Sequence, residues 1–164
     1  LRAWCLSKRG FTLYCRGKGW HHEENPSEAV ISICCNPDVA NKVLRDPDPH
    51  WFASGLPNVC NVEFDDITED ECTYVGTELD GYDTVTAYGI TPDTAKRIVR
   101  FVEEHRGMDF VIHCRAGKSR SQAVLRYITE FYPEYTETNP DNPCVHPNIH
   151  TYLGLRNARE ELGL

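Results

Sequence analysis

Residues 109–131 constrain the fold of this chain more than any other part. Phe110-Val111-Ile112 is a short apolar run within 109–113 and reads as a buried strand. A polar turn containing Gly117 follows, and the amphipathic stretch from about Ser121 to Phe131 reads as a helix. A buried strand that feeds a helix through one tight turn places that turn at the carboxyl edge of a sheet, where α/β proteins bind ligands.

The rest of the chain supplies similar units. Residues 29–35, Ala-Val-Ile-Ser-Ile-Cys-Cys, are short, apolar and β-rich, as expected of a second buried strand. Asn36-Pro37-Asp38 has the signature of a helix start. Residues 58–64 form a third strand pattern, with Cys60, Val62 and Phe64 on one face. Thr91-Pro92-Asp93 opens a helix whose Ala95, Ile98, Val99 and Val102 recur at helical spacing, and Gly107 supplies its stop. Pro133, Pro140, Pro143 and Pro147 mark a loop, and a last helix is expected from Asn148 to Leu162, with Ile149, Tyr152 and Leu153 facing inward. Strands separated by helices predict an α/β fold with a mainly parallel, twisted sheet flanked by helices. With 164 residues, a single domain over 1–164 is expected. Residues 1–28 carry no assignable element and are taken as an extension of it.

Composition excludes some function classes. A net charge of −8 without a basic stripe argues against nucleic acid as a partner and against stable membrane association. No apolar run reaches bilayer-spanning length, and Leu1-Arg2-Ala3-Trp4-Cys5 does not read as a secretory signal. The eight cysteines show no small-scaffold spacing, which favours free thiols and a cytoplasmic location.

The turn itself reads His113-Cys114-Arg115-Ala116-Gly117-Lys118-Ser119-Arg120-Ser121, with five residues between Cys114 and Arg120. A loop of that length can curl so that the backbone N–H groups of Arg115, Ala116, Gly117, Lys118 and Ser119 meet one anion. The following helix adds its positive end, and Arg120 can grip two phosphate oxygens with its planar fork. The same positive field favours a thiolate at Cys114, a nucleophile able to attack phosphorus. Ser121 is placed to donate a hydrogen bond to the sulfur, and His113 to hold the backbone rather than transfer a proton. Cys34 and Cys35, at the end of a sheet strand, are candidates to trap an oxidised Cys114.

This nine-residue segment resembles the phosphate loop of the cysteine-dependent protein tyrosine phosphatases, especially the compact dual-specificity-like branch. Ile31-Ser32-Ile33, Phe64-Asp65-Asp66-Ile67 and Ile90-Thr91-Pro92 resemble small bacterial and phage members, with a weaker echo at Pro147-Asn148. The resemblance implies the cysteine-phosphatase fold, no metal or other cofactor, and hydrolysis of a phosphate monoester through a phosphocysteine. Its expected partner is a phosphorylated protein or another phosphomonoester, with phosphotyrosine foremost and inositol phosphates or phosphoinositides as the alternative. A catalytically silent phosphate-binding module is a third reading. The resemblance also implies an aspartic acid that protonates the leaving oxygen. Asp66 is the first candidate, from its Phe-Asp-Asp-Ile setting. Asp83, 31 residues before Cys114, is the second, and Asp65 is the third. Residues 69–89 look like an insertion.

Other clusters have ordinary explanations. Cys144, His146 and His150 show a ligand-like spacing but lack a second pair. His21-His22-Glu23-Glu24 reads as a solvated turn, and Trp4, Trp20 and Trp51 as packing residues.

Overall fold

The computed structural model describes residues 1–75, 84–138 and 145–164. Its main sheet has five parallel strands, in the spatial order Val59–Glu63, Ala29–Cys34, Phe110–His113, Arg2–Leu6 and Thr136–Thr138. These are β1 (Arg2–Leu6), β2 (Ala29–Cys34), β3 (Val59–Glu63), β6 (Phe110–His113) and β7 (Thr136–Thr138). A separate antiparallel hairpin pairs β4 (Glu71–Val75) with β5 (Thr84–Tyr88). The helices are α1 (Lys8–Lys18), α2 (Pro92–Glu104), α3 (Arg120–Phe131) and α4 (Ile149–Glu161).

The period-2 alternation of the strands divides the core in two. Ala3, Cys5, Ala29, Ile31, Ile33, Cys60, Val62, Phe64, Phe110 and Ile112 turn to the face covered by α2, α3 and α4. Val30 and Val111 turn to the other face, where α1 contributes Phe11 and Cys15, and Phe52 closes the cluster. Trp4, Trp20 and Trp51 pack at its margin, in the packing role expected of them. Among the described residues no helix is long and apolar enough to cross a membrane.

Several boundaries differ from the sequence expectations. The unassigned first 28 residues contain β1, an interior strand hydrogen-bonded to β6 and β7, and α1, capped by Ser7. The segment 69–89, expected to be an insertion, holds the β4–β5 hairpin, and the Pro-rich loop includes the edge strand β7. Asn36 does open a helical segment, its Oδ1 accepting from the N–H groups of Asp38 and Val39, but the segment winds as one π-helical stretch, Val39–Val43. In α4 the expected facing is wrong for two residues: Ile149 and Leu153 are 50% and 46% exposed. Thr151, Tyr152, Leu155 and Ala158 are buried instead, a stripe at i, i+1, i+4 and i+7 that runs beside the predicted one.

This topology positions the turn after β6. The chain passes from β1 to β2 by way of α1 and leaves room between them, which β6 later fills. The carboxyl ends of β1 and β2 therefore flank the end of β6, with β3 one strand further out, and the strand order reverses there.

Candidate active site

Cys114 follows directly on β6, its side chain 2% exposed. Its Sγ lies 3.0 Å from Ser121 Oγ in the first turn of α3, and Ser121 is fully buried. Gly117 has φ +69°, and a Cβ there would lie 2.7 Å from Ser7 N and 2.8 Å from Leu6 C. The loop is thus folded against the end of β1 so closely that only glycine fits. Arg115 O accepts from Lys8 N, and Gln122 Nε2 donates to Gly117 O. Among the described residues no backbone carbonyl accepts from the N–H groups of Arg115 to Ser119.

Arg120 opens α3 and is 3% exposed. Nη1 donates to Phe64 O at 2.7 Å and meets Cys35 Sγ at 3.5 Å, which fixes the plane of the guanidinium. Nε is buried without a partner among the described residues. Burial opposes its charge, yet Cys35, Cys114 and Asp66 outweigh that effect and hold the guanidinium firmly protonated. A buried, anchored cation with an unsatisfied edge is arranged to receive an anion.

Behind the loop, His113 is buried at the register position flanked by Leu6 of β1 and Ser32 of β2. Its ring stacks on Phe11 at 4.2 Å. Burial pulls its pKa down to about 4, so the ring is neutral at neutral pH. Nδ1 lies 3.3 Å from Cys114 O and Nε2 2.7 Å from Ser32 Oγ. A neutral ring that donates from Nδ1 to the carbonyl accepts at Nε2 from the serine. Ser32 Oγ also meets His50 Nδ1 at 2.7 Å, and His50 Nε2 donates to Glu63 Oε1. The backbone at Cys114 is therefore tied through four side chains to the surface.

The three candidate acids have different fates. Asp66 is exposed, and its Oδ1 accepts from Ser119 Oγ at 2.7 Å and from Asn148 Nδ2 at 2.8 Å. Asp65 is buried, and its carboxylate accepts from Asn36 N, Asn36 Nδ2 and Tyr88 N, which ties the π-helical segment to the hairpin. Asp83 lies outside the described residues.

These groups line one cleft of about 340 Å³. The turn after β6 lines it with Cys114, Arg115, Ala116, Lys118, Ser119 and Arg120. Asp65, Asp66 and Ile67, Tyr74 and Ala87 of the hairpin, and Val39, Val43 and the following Leu44 complete the lining. Ala116 and Lys118 are exposed, whereas Arg115 Nη2 is held by Asp46 at 3.0 Å.

Cys35 also lines the cleft, whereas Cys34 is buried with its Sγ 3.3 Å from His50 Nδ1. Burial pushes both thiols up, Cys34 to about 12. All seven described cysteines are free. Of the ligand-like trio, Cys144 lies outside the described residues, His146 N bonds Lys118 O, and His150 faces Asp70.

Sequence reasoning missed Asn148, Ser32, His50 and Asn36 as residues that build the site. Asn148 caps α4 by accepting from Thr151 N while its Nδ2 holds Asp66. The Pro-Asn pair before a helical pattern was its only local signal. No protein-family model, curated protein or solved structure matches the chain.

Proposed function

We propose that the protein is a cysteine-dependent phosphatase with the cysteine-phosphatase fold, acting on phosphotyrosine in proteins, with phosphoserine and phosphothreonine as possible further substrates. One observation carries this reading: Cys114 Sγ, hydrogen-bonded to Ser121, sits in the same cleft as the anchored Arg120 and the exposed Asp66.

The chemistry follows from those positions. The phosphate is held by the loop N–H groups and by Arg120, with its ester oxygen toward Asp66. The Cys114 thiolate attacks phosphorus; the S–P bond forms as the P–O bond to the leaving group breaks. Asp66 gives its proton to that oxygen. Both hydrogen bonds to its carboxyl fall on Oδ1, so the transferred proton rides on Oδ2. In the second step Asp66 takes a proton from water, whose oxygen attacks the phosphocysteine. The sulfur leaves as thiolate, and the Ser121 O–H steadies its charge.

The cleft walls bear on the substrate. Val39, Val43, Leu44, Ile67, Tyr74 and Ala87 offer apolar surface around the entrance, which suits an aryl ring better than a polyol carrying several phosphates. Arg115, which an inositol phosphate would use, is engaged with Asp46. Inositol phosphates are therefore the second reading. A silent binding module would need neither the nucleophile nor the serine beneath it.

The test is hydrolysis of a chromogenic aryl phosphate. Cys114→Ser should abolish turnover while retaining phosphate binding, and Arg120→Lys should lose about 100-fold or more, since an ammonium cannot reproduce the fork. Near-normal activity in either variant refutes the mechanism.

A further inference from the structure

The outer side of α1 carries cations at helical spacing. Phe11 and Cys15 are buried toward the sheet, while Lys8, Arg9, Thr12, Leu13 and Arg16 look away from it. With Asp46 and Arg115 they line a groove of about 590 Å³. Arg115 also lines the cleft that holds Cys114, so groove and cleft share one side chain.

Two of the four cations are already fixed. Lys8 Nζ is held by Asp48 at 2.6 Å and by Pro47 O, and Arg115 by Asp46. Arg9 and Arg16 are exposed and have no ion pair among the described residues. Asp48 and Asp46 offset Lys8 and Arg115, so Arg9 and Arg16 remain as the groove's excess positive charge beside the cleft, in a chain of net charge −8. Leu13, 58% exposed, adds an apolar contact within it. From Arg9 to Arg16 the helix rises about 10 Å, roughly the length of three extended residues of a bound peptide.

We propose that this groove is a subsite for acidic side chains flanking the phosphorylated residue of a substrate protein. The proposal rests on the phosphatase reading and adds to it a substrate class, peptides with Asp or Glu on the flank that passes Arg115 and runs along α1. A polypeptide fits better than an anionic bilayer because the cations line a groove on a single helix, with Asp46 in its wall, and the remaining surface is acidic overall.

Three phosphotyrosine peptides of equal length decide the matter: acidic on the N-terminal flank, acidic on the C-terminal flank, and neutral. The wild type is compared with the Arg9→Ala/Arg16→Ala double variant, whose changes are exposed and outside the catalytic loop. One acidic peptide should show a KM about fivefold or more below that of the neutral peptide, with kcat little changed. That preference should vanish in the double variant and in high salt, while aryl phosphate turnover stays the same in both proteins. Equal KM values for the three peptides, or a preference that survives the double variant, would overturn the subsite. Binding to phosphatidylcholine vesicles containing phosphatidylserine, lost in the double variant without any peptide preference, would assign the groove to a membrane and overturn the proposal too. Failure of the phosphatase reading is separable, because it removes aryl phosphate turnover altogether. Fluorescence anisotropy of the same peptides on Cys114→Ser protein then decides the groove by itself, with tighter binding of an acidic peptide supporting it and equal binding refuting it.

Discussion

His113 should make the protein acid-sensitive, and its burial sets the size of the effect. The ring is neutral in the folded chain because desolvation lowers its pKa from the ordinary 6.5 to about 4. The unfolded chain takes up the proton near the higher value and the folded chain only near the lower one. Protons therefore favour unfolding: the contribution to stability is complete above the unfolded value and is lost as pH falls toward the folded value. At pH 5 the solution lies about 1.5 units below the unfolded pKa, so the loss is about 2 kcal/mol, rising toward about 3 kcal/mol below pH 4. Urea unfolding at pH 7 and pH 5 measures this in the wild type and in His113→Gln, which keeps a donor and an acceptor but cannot titrate. The wild type should lose about 2 kcal/mol more than the variant, since the other ionisable groups contribute equally to both. Ring-carbon NMR of the wild type gives a direct check, with His113 remaining neutral at pH 5. Equal losses in the two proteins, or an imidazolium signal from folded His113 at that pH, would refute the reasoning.

Three other outcomes follow from the site. Asp66→Asn should lose about 100-fold on alkyl phosphates and much less on activated aryl esters, whose leaving groups need less help; equal losses on both, or the same contrast in Asp83→Asn, assigns the acid elsewhere. Gly117→Ala should destabilise the fold by more than about 1 kcal/mol and depress kcat, because its Cβ meets the backbone of Leu6 and Ser7; wild-type thermal stability would refute that close approach. Mild peroxide should convert Cys114 to a sulfenic acid, whose sulfur the Cys35 thiol attacks, the S–S bond forming as the S–O bond breaks and the oxygen leaves as water; peptide mapping should find Cys35 rather than Cys34, and over-oxidised Cys114 without any disulfide would refute it.

What could be read from the sequence was what neighbouring residues encode together. The strand, turn and helix around Cys114 are contiguous, so apolar run, glycine and amphipathic helix all announced the loop, and α2 was equally clear from Thr91-Pro92-Asp93. β1 was hidden because Arg2-Ala3-Trp4-Cys5-Leu6 has weak alternation of its own. Its strand character comes from pairing with Phe110–His113, more than a hundred residues away. The three-residue β7 has the same cause, its register being set by Arg2–Trp4. In α4 several apolar residues fall on adjacent stripes, and only packing on α2 and α3 selects Leu155 over Leu153.

The same distinction separates the two halves of the proposed chemistry. Nucleophile and phosphate clamp are six positions apart on one turn, so their relation is local and the sequence displays it. The acid is placed by contacts across the fold. Asn148 reaches Asp66 over 82 residues, Ser119 over 53, and Asp65 is removed from the cleft chemistry by Asn36, 29 residues earlier. Adjacent aspartates with the same side chain thus receive opposite environments, one buried with both carboxylate oxygens bonded, the other exposed and bonded through Oδ1. The resemblance ranks Asp66 ahead of Asp65, but the four residues Phe64-Asp65-Asp66-Ile67 carry no physical signal of which carboxylate is buried. It is the arrival of the α4 cap beside the catalytic loop, where Asn148 N also bonds Ser119 O, that makes Asp66 the carboxyl held against the nucleophile's loop.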